Sequence, residues 1–241
     1  YQALIVTGLN ANGFDRNNWV AGGKQGFFEV DNFTSPAYVA RLDYRGVPGL
    51  RIGGSFYYCV NTASNSDKVA TYAGVKAPLR IYTVDGQYKN KYVTARTNFV
   101  FGNLTGATAI SNKNKGLSNS SPYTRVVQVA KKAVSYAGEV GVNLRSICNG
   151  NKKVPVIYPF ARYEYYNPQE AGEKGQLPMD KRNQVSMWTA GLNWYALPNL
   201  VVKADYMTRQ IGTGKVFGKG KYNSENEFSI GIAYVGWFIK K

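Results

Sequence analysis

Ten stretches of this 241-residue chain alternate in hydropathy, and in nearly every one the charges keep to a single parity. A two-residue repeat places successive side chains on opposite faces of a strand. The last stretch, residues 226–238, shows the pattern plainly. Phe228, Ile230, Ile232, Tyr234 and Phe238 form an apolar set; Glu227, Ser229, Gly231 and Ala233 between them are small or polar. The length suits a tilted membrane-crossing strand of about 9–11 residues, and the aromatic end suits an interfacial girdle. Such an ending resembles the C-terminal signal of bacterial outer-membrane barrels and places Phe238 at the periplasmic rim.

Counting back gives stretches at 200–211, 183–196, 152–166, 132–147, 91–102, 79–88, 50–60, 37–45 and 2–9. Their connections alternate. Residues 46–49, 89–90, 148–151 and 197–199 are tight turns; 10–35, 61–77, 103–131, 167–181 and the Gly/Lys-rich segment before the last strand are long. Outer-membrane barrels pair short periplasmic turns with long external loops. The chain therefore reads as all-β, a transmembrane antiparallel β-barrel that crosses a bacterial outer membrane many times. The alternative is a soluble β protein, whose strands would be shorter, about 5–6 residues.

Parity assigns the faces. Leu200, Val202, Ala204 and Tyr206 oppose Lys203, Asp205 and Arg209; Trp188, Ala190, Leu192 and Trp194 oppose Asn193; Ala161, Tyr163 and Tyr165 oppose Arg162 and Glu164. Val134, Tyr136, Val140, Val142 and Leu144 oppose Glu139, Asn143 and Arg145, and Ala95, Thr97, Phe99 and Phe101 oppose Arg96 and Asn98. Tyr38, Ala40, Leu42 and Tyr44 oppose Arg41, Asp43 and Arg45, with Arg51 on the inner set of the next strand. A cation on the lipid face near the midplane costs roughly 2–4 kcal/mol. Arg80 is the ambiguous case, sharing parity with Tyr82, Val84 and Tyr88. The first stretch is too apolar to assign.

The inner set leans basic: Arg41, Arg45, Arg51, Arg96, Arg145, Arg162, Lys203 and Arg209 against Asp43, Asp85, Glu139, Glu164, Asp205 and Glu227. A charge ladder between neighbouring strands, Arg162 with Glu139 for example, would stiffen the wall. The surplus would bias a pore towards anions. Basic residues of the long loops add to it: Lys113, Lys115, Arg125 and Lys131 in one, Lys215, Lys219 and Lys221 beside Glu225 in another. Taken singly, these are ordinary solvated loop residues. Residues 10–35 differ, since Phe14, Trp19, Phe27, Phe28 and Phe33 do not suit a solvated loop. That segment is expected to fold into the lumen as a constriction, with Arg16 and Lys24 as its basic groups, or to pack on a neighbouring subunit.

Other classes are excluded on chemistry. No histidine occurs, which removes the Asp–His pair of barrel proteases, the Ser–His pair of barrel lipases and the commonest metal ligand. No catalytic residue, metal site or cofactor is expected. No run of about 18 apolar residues exists, so no helical span is expected. The net charge of +16 implies anionic partners, but no nucleic-acid motif accompanies it. Cys59 and Cys148 fall at opposite strand ends, too far apart for a disulfide. The chain opens at Tyr1 without a charged leader and reads as processed or incomplete.

Two stretches carry a family resemblance: Asn10-Ala-Asn-Gly-Phe-Asp-Arg-Asn-Asn-Trp-Val-Ala-Gly-Gly-Lys-Gln-Gly, and Gly191-Leu-Asn-Trp-Tyr-Ala-Leu-Pro-Asn-Leu-Val-Val-Lys-Ala-Asp-Tyr. Both resemble the phosphate-selective porins, the second their penultimate hairpin. The resemblance implies a sixteen-stranded, trimeric outer-membrane channel for anions such as phosphate. This chain would then be its C-terminal part; the alternative is a complete ten-stranded barrel. Its partners would be small anions, outer-membrane lipid and lipopolysaccharide, further copies of itself and other outer-membrane proteins. The function so implied is passive diffusion of small anionic solutes. The alternative is a structural or docking barrel that anchors a surface complex, its lumen plugged.

Overall fold

The computed structural model describes residues 1–26, 32–66, 70–114, 128–212, 222–234 and 236. Phe27, Phe28, Lys115, Arg125, Lys215, Lys219, Lys221 and Phe238 lie outside the described residues. The strands are β1 (Gln2–Val6), β2 (Ala37–Tyr44), β3 (Leu50–Cys59), β4 (Leu79–Lys89), β5 (Val93–Leu104), β6 (Lys132–Val142), β7 (Val156–Ala171), β8 (Val185–Leu197), β9 (Leu200–Gly212) and β10 (Tyr222–Tyr234). Each pairs antiparallel with its neighbour in sequence, in one ten-stranded sheet. Among the described residues β1 and β10 are its two edges and do not pair with each other. Long alternating stretches joined by local connections make this order the one with least loop closure.

The register carries the parity from strand to strand. Asp43 faces Gly53, Gly53 faces Asp85 and Asp85 faces Asn98. Glu139 faces both Arg96 and Arg162. One face is therefore charged and the other apolar, as the alternation predicts. The apolar face is uncovered: Leu42, Val84, Trp188, Tyr206, Phe228, Ile230 and Ile232 are all exposed. Its aromatic rings touch across strands, with Phe56 on Tyr82 at 5.0 Å and Tyr163 on Trp188 at 4.5 Å between centroids.

Three sequence expectations are corrected. The sixth strand ends at Val142, and residues 144–147 form a short helix, α2 (Leu144–Ile147). Asn143 caps it, its side chain accepting from the Ser146 N–H, so the chain leaves the sheet there. Leu144 and Arg145 thus belong to a connection spanning 143–155, as long as the one at 172–184. The length sorting of connections fails at this one place. Arg45 lies just beyond the end of β2. The last strand starts earlier than expected, which moves Glu225 from a loop onto β10.

The buried core lies on the charged face, at the ends of β1–β6 nearest the long connections. Leu79, Leu104 and Cys59 are fully buried strand-end residues, with Ala37 and Ala133 beside them. Onto them fold Phe14, Trp19 and Val20 from the first long connection, and Ala63, Tyr72 and Ala77 from the second. The third contributes α1 (Ala107–Lys113) with Ala107 and Ile110 buried. This cap is built from loops and shares one core with the strand ends. The two cysteines are both free, Cys59 under the cap and Cys148 exposed in the turn after α2.

Candidate functional site

Strand geometry places the charged residues in groups along one face. The first group centres on Asp85. Arg41 Nη2 and Arg51 Nη2 donate to its two oxygens at 2.8 and 2.5 Å, and Arg41 Nε donates to Asp43 at 2.8 Å. Gly53 makes room for them. A Cβ there would sit 2.3 Å from Arg41 Nη2 and 2.7 Å from Asp43 Oδ1, so a side chain would break up the group.

The second group centres on Glu139. Its Oε1 accepts from Arg96 Nε at 3.1 Å and its Oε2 from Arg162 Nε at 2.8 Å. Glu164 lies 3.8 Å from Arg162. The expected Arg162–Glu139 ladder is thus present, and extends to Arg96. Arg209 pairs with Glu225 at 3.2 Å. Among the described residues Lys203 makes no ion pair.

The wall as a whole is neutral. Within the paired stretches the charged face carries Arg41, Arg51, Lys89, Arg96, Arg162, Lys203 and Arg209 against Asp43, Asp85, Glu139, Glu164, Asp205, Glu225 and Glu227. The basic surplus sits at the two ends instead. At the end of the short turns stand Arg45, Lys91, Arg145, Lys152 and Lys153, and no acidic residue occurs there among the described residues. Arg145 and Lys89 line one hollow of about 440 Å³ with Tyr158 and Tyr195. Arg145 is held by its Nε donating to the Val154 carbonyl at 2.6 Å. At the other end, among the described residues, Arg16, Lys24, Lys76, Lys113, Lys131, Lys174, Lys181 and Arg182 stand against three acids, Asp15, Glu173 and Asp180.

The cap covers the second end of the charged face. Trp19 lies over Gly102 of β5, where a Cβ would come within 1.9 Å of the indole ring, and its Nε1 donates to the Ala130 carbonyl at 2.9 Å. Side-chain amides, Asn65 buried and Asn114 half-buried, tie the loops together. Asn65 Nδ2 donates to the Ser35 carbonyl at 2.8 Å, and Asn114 Nδ2 to the carbonyls of Ala11 and Phe14 at 2.9 and 3.0 Å. Arg16 and Lys24 are both in the cap. Arg16 lies 3.9 Å from Asp180, and Lys24 is exposed after a 3-10 turn. The described part of residues 10–35 packs on the charged face of the sheet.

Glu173 fastens α1 to the last cap segment. Its carboxylate accepts from the N–H groups of Gly106 and Thr108 at 3.1 and 2.9 Å, at the start of the helix. Burial works to raise this carboxyl, but those N–H groups outweigh it and hold it below the ordinary 4.5. Asp180 is likewise held low, chiefly by the Arg182 guanidinium. A depressed carboxyl stabilises the fold in full above its ordinary value, and that contribution fades as pH falls through the lower folded value. Acidification below 4.5 is therefore expected to loosen the cap. Protease sensitivity of the long connections recorded against pH should rise there, and Glu173→Gln should show the raised level already at neutral pH. A sensitivity flat with pH would refute the coupling.

The cap itself was missed in the sequence, where the basic residues of its third loop, 103–131, read as solvated. The signal was present: Tyr57, Cys59, Leu79, Ile81, Leu104 and Ala133 are apolar residues on the charged parity, clustered at one end of their strands.

A family model, that of phosphate-selective porins O and P, matches residues 36–232. No curated protein matches the chain. No solved structure matches it either.

Proposed function

The chain belongs to the phosphate-selective porin O and P family, a family of channels rather than enzymes, and on that premise we propose that it forms an outer-membrane pore for passive diffusion of small anions, phosphate among them. The charged face is the lumen wall and the apolar face meets lipid. Both sheet edges are paired in the working barrel, because an open edge in hydrocarbon leaves backbone groups unsatisfied at several kcal/mol each. A trimer, set in outer-membrane lipid and lipopolysaccharide, is the assembly the family resemblance favours.

One observation carries the anion preference. The short-turn mouth holds five basic groups and no acid among the described residues, while the wall between the mouths is neutral. Unpaired cations at an entrance raise the local anion concentration. Paired charges along the wall give a polar path without a deep trap, which conduction needs. Lys89 and Lys203, exposed and without an ion pair among the described residues, are the wall cations most able to contact a passing ion. Arg96 and Arg162 do so only as far as Glu139 releases them.

Reversal potentials in a planar bilayer under a salt gradient test this. Chloride should pass in preference to potassium. Lys89→Gln with Arg145→Gln should lower that preference, and Glu139→Gln should raise it by freeing two arginines. Cation preference in the wild type would sink the proposal. Absent conductance from folded protein would favour the second reading, a docking barrel with a plugged lumen, which the fully buried residues of the cap also suit.

A further inference from the structure

Arg80 and Lys132 are the only charged residues on the apolar face of the ten strands, counted over the described paired stretches. They are not scattered. Arg80 of β4 faces Asn103 of β5, and Asn103 faces Lys132 of β6, so the three stand side by side in one row. The row ends the apolar face on the long-connection side. Below it come Tyr82, Phe101 and Val134, again in register.

The row is held rigid from behind. Leu79, Leu104 and Ala133, each adjacent in sequence, point the other way into the buried core under the cap. The Arg80 guanidinium lies 5.5 Å over the Tyr58 ring. Neither cation makes an ion pair among the described residues. Asn103 Oδ1 is buried with no hydrogen-bond partner. Glu170, in the part of β7 beyond its regular pairing, is engaged by Asn167 Nδ2 at 2.9 Å and forms no ion pair among the described residues. One strand, β5, separates Arg80 from Lys132, so two strand spacings, about 10 Å in all, lie between them, a span both side chains can close upon one phosphate.

We propose that Arg80, Asn103 and Lys132 form a docking site for a phosphorylated glycolipid of the outer leaflet. The phosphate lies between the two cations, a sugar hydroxyl donates to the Asn103 oxygen once that side chain turns outward, and acyl chains lie along Phe56, Tyr82 and Phe101. Charge complementarity at the rim of an uncovered apolar face selects this occupant: a free anion has no use for the apolar rows, and a neutral lipid none for the cations. The proposal rests on the reading of the apolar face as lipid-facing.

Native mass spectrometry of the full chain, refolded in detergent, tests it with three probes: a diphosphorylated acylated glucosamine disaccharide, its dephosphorylated counterpart and inorganic phosphate. The phosphorylated lipid should bind. Arg80→Gln with Lys132→Gln should weaken it about 30-fold, as expected for two basic groups beside an anionic lipid surface. Arg80→Lys with Lys132→Arg should retain binding, which separates lost charge from lost fold. Equal binding of the dephosphorylated lipid, unchanged affinity in the double glutamine variant, or displacement by inorganic phosphate would each overturn the site. So would a changed oligomer mass with lipid binding intact, which would give the surface to a second copy. Failure of the pore reading appears instead in conductance, which these outward substitutions should leave unaltered.

Discussion

Replacing Phe14 with alanine is expected to remove about 3–5 kcal/mol from the cap, the usual cost of emptying a buried phenylalanine site. Phe14 is 1 % exposed. Its ring fills the space beside Gly23, where a Cβ would come within 2.3 Å of it. The Asn114 amide then loses a fixed carbonyl to bind. The strands do not depend on this ring, since their pairing is made elsewhere. Far-ultraviolet circular dichroism should therefore stay unchanged while protease sensitivity of the long connections rises and single-channel conductance grows. Loss of strand signal would show that the cap and the sheet fold as one unit. Unaltered conductance with a nicked cap would show that the cap does not narrow the path.

The second large effect tests the two faces at adjacent positions of β10. Ile230→Arg places a cation on the apolar face opposite Ala204, at an expected cost of about 2–4 kcal/mol in a bilayer. Gly231→Arg places the same group on the charged face opposite Lys203, where nothing lies within 4 Å of a new Cβ. That substitution should cost no more than about 0.5 kcal/mol, as at an open surface. Denaturant titrations in lipid vesicles give both values. Equal penalties would remove the assignment of lumen and lipid faces.

Much of this was legible in the residues. Alternation is local, so Phe228, Ile230 and Ile232 against Glu227, Ser229 and Gly231 show two faces without a partner strand. The Arg162–Glu139 contact was also within reach, because antiparallel neighbours joined by one turn bring such residues opposite each other. Arg145 was not, because continued alternation looked like continued strand; the Asn143 cap ended it locally. The neutral wall was missed for the same reason. Two basic groups assigned to it, Arg45 and Arg145, lie outside the strands, and Glu225 lies within one.

The sequence by itself determined the all-β class, the ten strands and the separation of charge from apolar surface, all set by a two-residue period along each strand. Only the tertiary structure decided what lies over the charged face. Phe14, Tyr72, Ile110 and Val129 meet there from connections far apart in the chain, and no short-range pattern records that meeting. It also decided which cations remain free. An arginine reads the same whether or not a carboxylate on the next strand takes its charge, and register alone brings Asp85 to Arg41 and Arg51 while leaving Arg80 and Lys132 unpaired at the rim.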